Sequence, residues 1–350
     1  MALWYRETGP ESLWVLSSRV RLARNVADRP FPARMEVREL QNLQRELERQ
    51  ILQSDLARKQ AYRSLHLEEI SGLERSALME HRLISQELAR QERPTALVIR
   101  EDEQVSVMLG EEDHIRIQAM AAGEQLEQAW REAQELAQTL EAGLDMAYDE
   151  QLGFLTACPS NLGTGLRASY LLHLPALRRL GQMEQLARRL ADLGLTIRGA
   201  LGEGSKAAGS LYQISNQVTL GFDEETLIHD LERVLHECLE MEQEAGQALL
   251  RQRGGELEDQ FWRNVGILSY VREIGQEEME ERLSDLRWMM ALGLLPQEGL
   301  ARLTQLQADL GRAALQCLER RPMEAGERDR LRAEKLRAGM AEILAASSET

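Results

Sequence analysis

The chain has 350 residues, 43% of them hydrophobic, and 42 Lys plus Arg against 58 Asp plus Glu leave a formal net charge of −16. That apolar content suffices for the core of one large domain or two of ordinary size, which excludes a disordered chain. The negative balance disfavours nucleic acid and favours basic partners, although a local arginine cluster can still hold an anion.

No apolar run approaches eighteen residues, and the first residues lack the basic and apolar regions of a signal peptide, so a cytoplasmic protein with no membrane contact is expected. Cys158, Cys238 and Cys317 are too widely spaced for a disulfide framework or a zinc site, and read as reduced thiols with no metal centre.

Residues 12–24 lean to β-structure and alternate Arg19 and Arg21 with Val20 and Leu22. Period two places both arginines on one face of an extended segment, where two planar cations can grip successive phosphates. After the break at Pro30 and Pro32, residues 34–60 carry apolar residues three and four apart and predict an amphipathic helix. A second helical stretch, about 74–90, contains His81 and Arg82.

Residues 96–100 and 104–109 flank an acidic turn and predict a β-hairpin. The second of these runs leads into Gly110, Glu111, Glu112, Asp113 and His114 before alternation resumes with Arg116, which predicts a tight turn setting several carboxylates beside an arginine at a sheet edge. A long helix is expected from Gly123 to about Tyr148, against one face of an antiparallel sheet.

The loop from Cys158 through Pro159, Gly163, Gly165 and Arg167 to Ser169 exposes backbone N–H groups suited to a phosphate or a reacting group. A helix over 177–192 and a strand over 195–198 precede a glycine loop, 199–206. Its Ser205-Lys206 order is wrong for a P-loop, and the strand-like 209–216 that follows is wrong for a dinucleotide fold. What remains is a loop presenting one carboxylate, Glu203. A helix from Asp223 to Arg251, interrupted at Gly254-Gly255, is followed by three or four helices over 256–345 with breaks near Gly275, Gly293–Pro296 and Arg321-Pro322.

These motifs together resemble the guanidino (phosphagen) kinases, and most closely their bacterial protein-arginine kinase branch, from about Gly9 onward. The resemblance implies an α+β fold, with an antiparallel-sheet catalytic core over 1–250 and an all-helical regulatory and dimerisation domain over 251–350. It implies ATP and Mg2+, and arginine side chains of proteins as acceptors. The nucleotide residues it implies are Ser17, Ser18, Arg19, Val20, Arg21, Arg82, Arg116, Arg167, Ala168, Ser169, Tyr170 and Leu171, then Arg198, Gly199, Ala200, Leu201, Gly202 and Glu203. In the family an arginine precedes a histidine where this chain has His81-Arg82, which leaves open which of the two meets the nucleotide.

Glu112 and Glu203 are the implied carboxylate clamp on the acceptor guanidinium, Glu112 being the base, with Glu111 and Asp113 as local rivals and Cys158 beside the substrate. Gly110 replaces the usual family asparagine. Arg328, Asp329, Arg332 and Ala333 match the family's R-D-x-x-R-A phosphoarginine motif, although their spacing alone reads as a solvated helix face. Small-guanidine kinases carry a further helical domain before the S-x-R-x-R segment, where only sixteen residues precede Ser17 here, so a protein-borne arginine is the expected acceptor. The implied partners are a heat-shock repressor, a small metal-binding activator, a Clp-type unfoldase and a second copy of the chain. A kinase of free guanidines and a non-catalytic phosphoarginine-binding adaptor remain as alternatives.

Overall fold

The computed structural model describes residues 4–199 and 208–345. In chain order these form β1 (Val15–Arg24), α1 (Val37–Gln53), α2 (Asp55–Lys59), β2 (Tyr62–His66), α3 (Gly72–Glu80), α4 (Gln86–Arg90), β3 (Ala96–Arg100), β4 (Val105–Leu109), β5 (Ile115–Ala122), α5 (Leu126–Glu141), β6 (Tyr148–Asp149) and β7 (Gly153–Phe154). There follow β8 (Leu166–His173), α6 (Pro175–Arg179), α7 (Met183–Asp192), β9 (Leu195–Gly199), β10 (Leu211–Asn216), α8 (Glu224–Tyr270), α9 (Gln276–Ala291), α10 (Leu300–Asp309), α11 (Arg312–Leu318) and α12 (Ala325–Ala345). The fold is α+β, an antiparallel sheet with flanking helices followed by a helical C-terminal region.

Eight strands run in the order β2-β3-β4-β5-β1-β8-β10-β9, and every pairing is antiparallel. One face carries Val20, Leu22, Ile117, Ala168, Tyr170 and Ile214, all buried against the layer in which α5 crosses β1 and β5 and α8 crosses β8 and β10. Over β3 and β4 the other face is covered by Leu67, Leu83, Ile84 and Leu88, which pack on Leu97, Ile99 and Met108. This leaves the central strands as the floor of a cleft.

Several helices are shorter than their periodicity predicts, because a capping residue or a glycine inside the periodic stretch ends the helix. The 34–60 helix divides at Ser54, whose hydroxyl accepts from Ala57 N at 3.1 Å. The 74–90 helix divides after Glu80, and Ser85 restarts it by accepting from Leu88 N at 2.9 Å. Gly181, at φ +69°, splits 177–192, and α5 stops at Glu141. The Gly254-Gly255 interruption proves to be a kink inside α8, where Arg253 alone departs from helical backbone. A break at Leu310-Gly311 that the sequence reading lacked separates α10 from α11.

The helical region shares a continuous core with the sheet layer, and the Arg179 guanidinium of α6 lies over the Trp288 ring of α9 at 5.0 Å. Polar ties reinforce it. Arg178 pairs with both oxygens of Glu281 at 2.9 and 3.0 Å, Arg179 meets Asp285 at 2.6 Å, and Arg287 donates to Ser12 O at 2.7 Å.

Candidate active site

Strand register gathers the arginines. Residues directly opposed in an antiparallel pair share a face. Arg21 stands opposite both Arg167 and Gln118, Ala23 opposite Arg116, and Arg19 opposite Ser169. Further along, Leu171 opposes Gln213, which in turn opposes Arg198, and Arg19 donates to Gln213 Oε1 at 2.7 Å. Arg19, Arg21, Arg116, Arg167 and Arg198 therefore line one face, with Ser17, Ser169 and Leu171. Ser18, Val20, Ala168 and Tyr170 alternate onto the core face, as period two dictates. Ser18 there bonds Gly123 O and accepts from Gln125 N, and the other three are completely buried, so these expected nucleotide residues bring no side chain to the cleft. Ala200, Leu201, Gly202 and Glu203 lie outside the described residues, beyond Gly199 at the end of β9.

The electrostatics of this face are those of an anion site. Burial and the like charges of Arg21, Arg82, Arg167 and Arg116 push the Arg19 guanidinium well below its ordinary value, and burial with Arg116 and Arg167 takes Arg21 down to about 9. Arginines do not give up the proton, so such shifts measure a shortage of negative charge that a polyphosphate would supply. Arg82 belongs to the group and is itself lowered to about 10 by burial. His81 faces away, its ring 5.4 Å from Tyr5. Of the two, Arg82 is thus the one beside Arg19.

The acidic turn separates its three carboxylates by environment. Asp113 is completely buried, and its Oδ1 accepts from Asn25 Nδ2 and Ala157 N, both at 2.7 Å. Glu111 is buried against Ser85 Oγ and Arg116, 2.6 Å away. Glu112 is exposed, with its Oε2 3.1 Å from Arg116 NH2, and burial of part of its carboxyl, opposed by Arg116 and helped by Asp113 and Glu111, raises its pKa. The two rivals are therefore committed to the fold, and Glu112 is the one acid of the turn with an exposed side chain. His114 braces it. Val26 N can only donate and Pro30 O can only accept, so the ring takes the Nε2–H tautomer, receiving at Nδ1 (3.0 Å) and donating at Nε2 (2.8 Å). Gly110 adopts φ +79°, and a Cβ there would lie 2.4 Å from Gln44 Nε2, so an asparagine does not fit this turn unless Gln44 moves.

The bond from Ala157 N to Asp113 ties the next loop to the turn and brings Cys158 beside it, half-buried with Sγ 3.0 Å from Ser160 Oγ. Gly163, at φ +107°, packs against Thr219 and Leu220, with no space for a side chain. Sequence reasoning missed Gln213, Gln118, Asn25 and Ser85, whose alternation or capping signals have no meaning until register and tertiary partners are known.

The R-D-x-x-R-A motif lies on α12 and is not the solvated face its spacing suggests. Arg332 is 1% exposed and donates to Leu310 O at 3.0 Å, to Ile274 O at 2.8 Å and to the Asp329 carboxylate. Ala333 is buried beside it, and Arg328 donates to Met323 O at 2.6 Å. Among the described residues no helix is long and apolar enough to cross a membrane, and no group of three or more His, Cys, Asp or Glu is placed to hold a metal.

Residues 43–245 match the family model of the ATP:guanido phosphotransferase C-terminal catalytic domain, and residues 254–350 that of the protein-arginine kinase McsB C-terminal domain. The chain is 42% identical to the protein-arginine kinase of Symbiobacterium thermophilum over 339 residues, 96% of this chain and 95% of that one. It is 40% identical to that of Geobacillus stearothermophilus over 295 residues, 84% and 81% of the two chains. Among solved structures it resembles the duplicated taurocyamine kinase of Schistosoma mansoni with bound transition-state analogue components (TM-score 0.58, 26% identity, covering 65% of this chain and 33% of that one), and in fold a lombricine kinase (TM-score 0.57, 24% identity, covering 69% and 71%). The chain belongs to the ATP:guanido phosphotransferases, within them to the protein-arginine kinases, and is an enzyme of that class.

Proposed function

We propose that this enzyme transfers the γ-phosphoryl group of ATP to arginine side chains displayed on other proteins. The observation that supports this most is the pairing of a cationic sheet face with a single exposed, raised carboxylate, Glu112, at its end. Arg19, Arg21, Arg82, Arg116, Arg167 and Arg198 bind the triphosphate and neutralise charge on the transferring oxygens, and alignment with charge compensation is most of what phosphoryl transfer requires. The arginines of this face offer no cation ligand, so any Mg2+ would be held mainly through the nucleotide and would supply further charge neutralisation.

A guanidinium is protonated and not nucleophilic. Glu112 holds the acceptor's fork and takes one proton as the new N–P bond forms and the bond to the leaving ADP breaks. Glu203, outside the described residues, is proposed as the second clamp on the acceptor. Cys158 lies beside the acceptor and assists its placement.

Two further roles follow from the family. The helical region, 251–350, is proposed as a regulatory and dimer-forming domain that senses phosphoarginine through the motif Arg328, Asp329, Arg332 and Ala333. The mark is proposed to send clients and a heat-shock repressor to a Clp-type unfoldase in the cytoplasm, with a small metal-binding activator; the match of the C-terminal family model supports this reading. Comparing turnover of Mg-ATP on a basic protein with turnover on free arginine tests the acceptor. Faster turnover on the protein is expected, and equal or faster turnover on free arginine contradicts the proposal.

A further inference from the structure

Arg82 reaches the nucleotide face from an unusual backbone. Its φ is +63°, a region that residues with side chains rarely occupy and that persists only where the surroundings enforce it. On one side the enforcement is plain, because the Arg82 carbonyl accepts from Gln118 Nε2 at 2.7 Å, and Gln118 shares the face of Arg21.

On the other side stands Glu80, the last residue of α3. Its carboxylate leaves its own helix and crosses to the helical region, where it accepts from Ala313 N at 2.9 and 3.0 Å and from Ala314 N at 2.8 Å. These are the first-turn N–H groups of α11, which have no acceptor within their own helix. The fit is close. A Cβ on Gly311 would lie 2.3 Å from Glu80 Oε2. The start of α11 is held from behind by Arg332, through Leu310 O, and by Gln276 Oε1, which accepts from Arg312 N at 3.1 Å. Gln276 also bonds Glu280, whose charge favours the cationic form of Arg82.

We infer that Glu80 is a positioning residue that keeps Arg82 in the nucleotide cleft by fastening the end of α3 to the start of α11. Two residues after that fastening the chain must already carry Arg82 to Arg19, so a loosened Glu80 lets residues 81–85 relax toward ordinary backbone and withdraws the guanidinium. The helical region thereby supplies the anchor for one of the nucleotide's cationic partners while touching no nucleotide itself. This inference rests on the assignment of Arg82 to the nucleotide site.

The test is a double-mutant cycle in the full-length enzyme, with KM for ATP and kcat measured separately at saturating basic protein. Arg82→Ala is expected to raise KM for ATP about tenfold, the size of one lost charge-assisted contact. Glu80→Ala is expected to raise it comparably with little change in kcat, and to add nothing in the Arg82→Ala background. Gly311→Ala pushes Glu80 away from the opposite partner and is expected to reproduce the Glu80→Ala result, which serves if Glu80→Ala itself fails to fold. Glu80→Gln keeps an acceptor and is expected to restore part of the affinity.

Failure is separable. If Arg82→Ala leaves KM for ATP unchanged, the nucleotide assignment of Arg82 falls. If Arg82→Ala raises KM while folded Glu80→Ala and Gly311→Ala do not, or if the effects add, the positioning role alone is overturned.

Discussion

Glu112 differs from Glu111 and Asp113 in having its carboxylate open to a substrate, and that difference is created by neighbours far off in sequence: Ser85, Asn25 and Ala157. Glu112→Gln keeps size and polarity but cannot accept a proton, so kcat is expected to fall by about 10²–10⁴ with the melting temperature unchanged. The base works ionised, and its pKa is raised. The acid limb of the kcat/KM profile is therefore expected above the ordinary glutamate value of about 4.3, with activity lost as pH falls through it. His114 gives a separate pH effect on stability. Burial lowers its pKa in the folded chain, so this contribution is complete above about 6.5, the unfolded value, and is lost as pH falls below it. Thermal melts at falling pH are expected to show it, and to show less of it in a His114→Gln variant.

At the scale of elements, α12 and the start of α11 depend on one buried cation. Removing Arg332 strands the carbonyls of Leu310 and Ile274 and the Asp329 carboxylate, so Arg332→Ala is expected to destabilise the protein by about 3–5 kcal/mol, read as a lowered melting temperature. Arg328→Ala gives up one hydrogen bond to Met323 O and is expected to cost about 1 kcal/mol. A phosphoarginine-binding comparison therefore rests more cleanly on Arg328. Much of the sheet was legible because β1 and β5 contain stretches of period two and β3 and β4 are short apolar runs bounded by acids. By contrast β2 was not expected, and β8 begins at Leu166, inside the expected loop, because its Gly163 and Gly165 precede the strand. Helix ends were not legible, because a serine inside a periodic stretch reads alike whether or not it caps, as Ser54 and Ser85 do, and the start of α11 after Gly311 is satisfied by Glu80, far off in sequence. In the site, the shared face of Arg19 and Arg21 could be read from spacing, whereas the committed side chain of Arg332 could not, since a buried arginine and a solvated one look alike in sequence.

At the scale of the whole molecule, the helical region and the sheet layer are parts of one core. The Arg179 guanidinium lies over the Trp288 ring at 5.0 Å, and Arg178, Arg179 and His173 find their partners on α9. Residues 1–250 expressed alone would expose this surface and strip Arg178 and Arg179 of their carboxylate partners, so the fragment is expected to melt well below the full chain or to aggregate. An independently stable fragment with the full chain's melting temperature would contradict this coupling. The central claim is that a cationic face and Glu112 together move phosphate from ATP onto a protein-borne arginine. Its most direct test is mass spectrometry, under non-acidic handling that spares the N–P bond, of a basic client treated with enzyme and Mg-ATP. Phosphoarginine is expected with the wild-type chain and a large loss of it with Glu112→Gln, whereas its absence from a client treated with folded, ATP-binding wild-type enzyme, or undiminished formation by Glu112→Gln, would contradict the account.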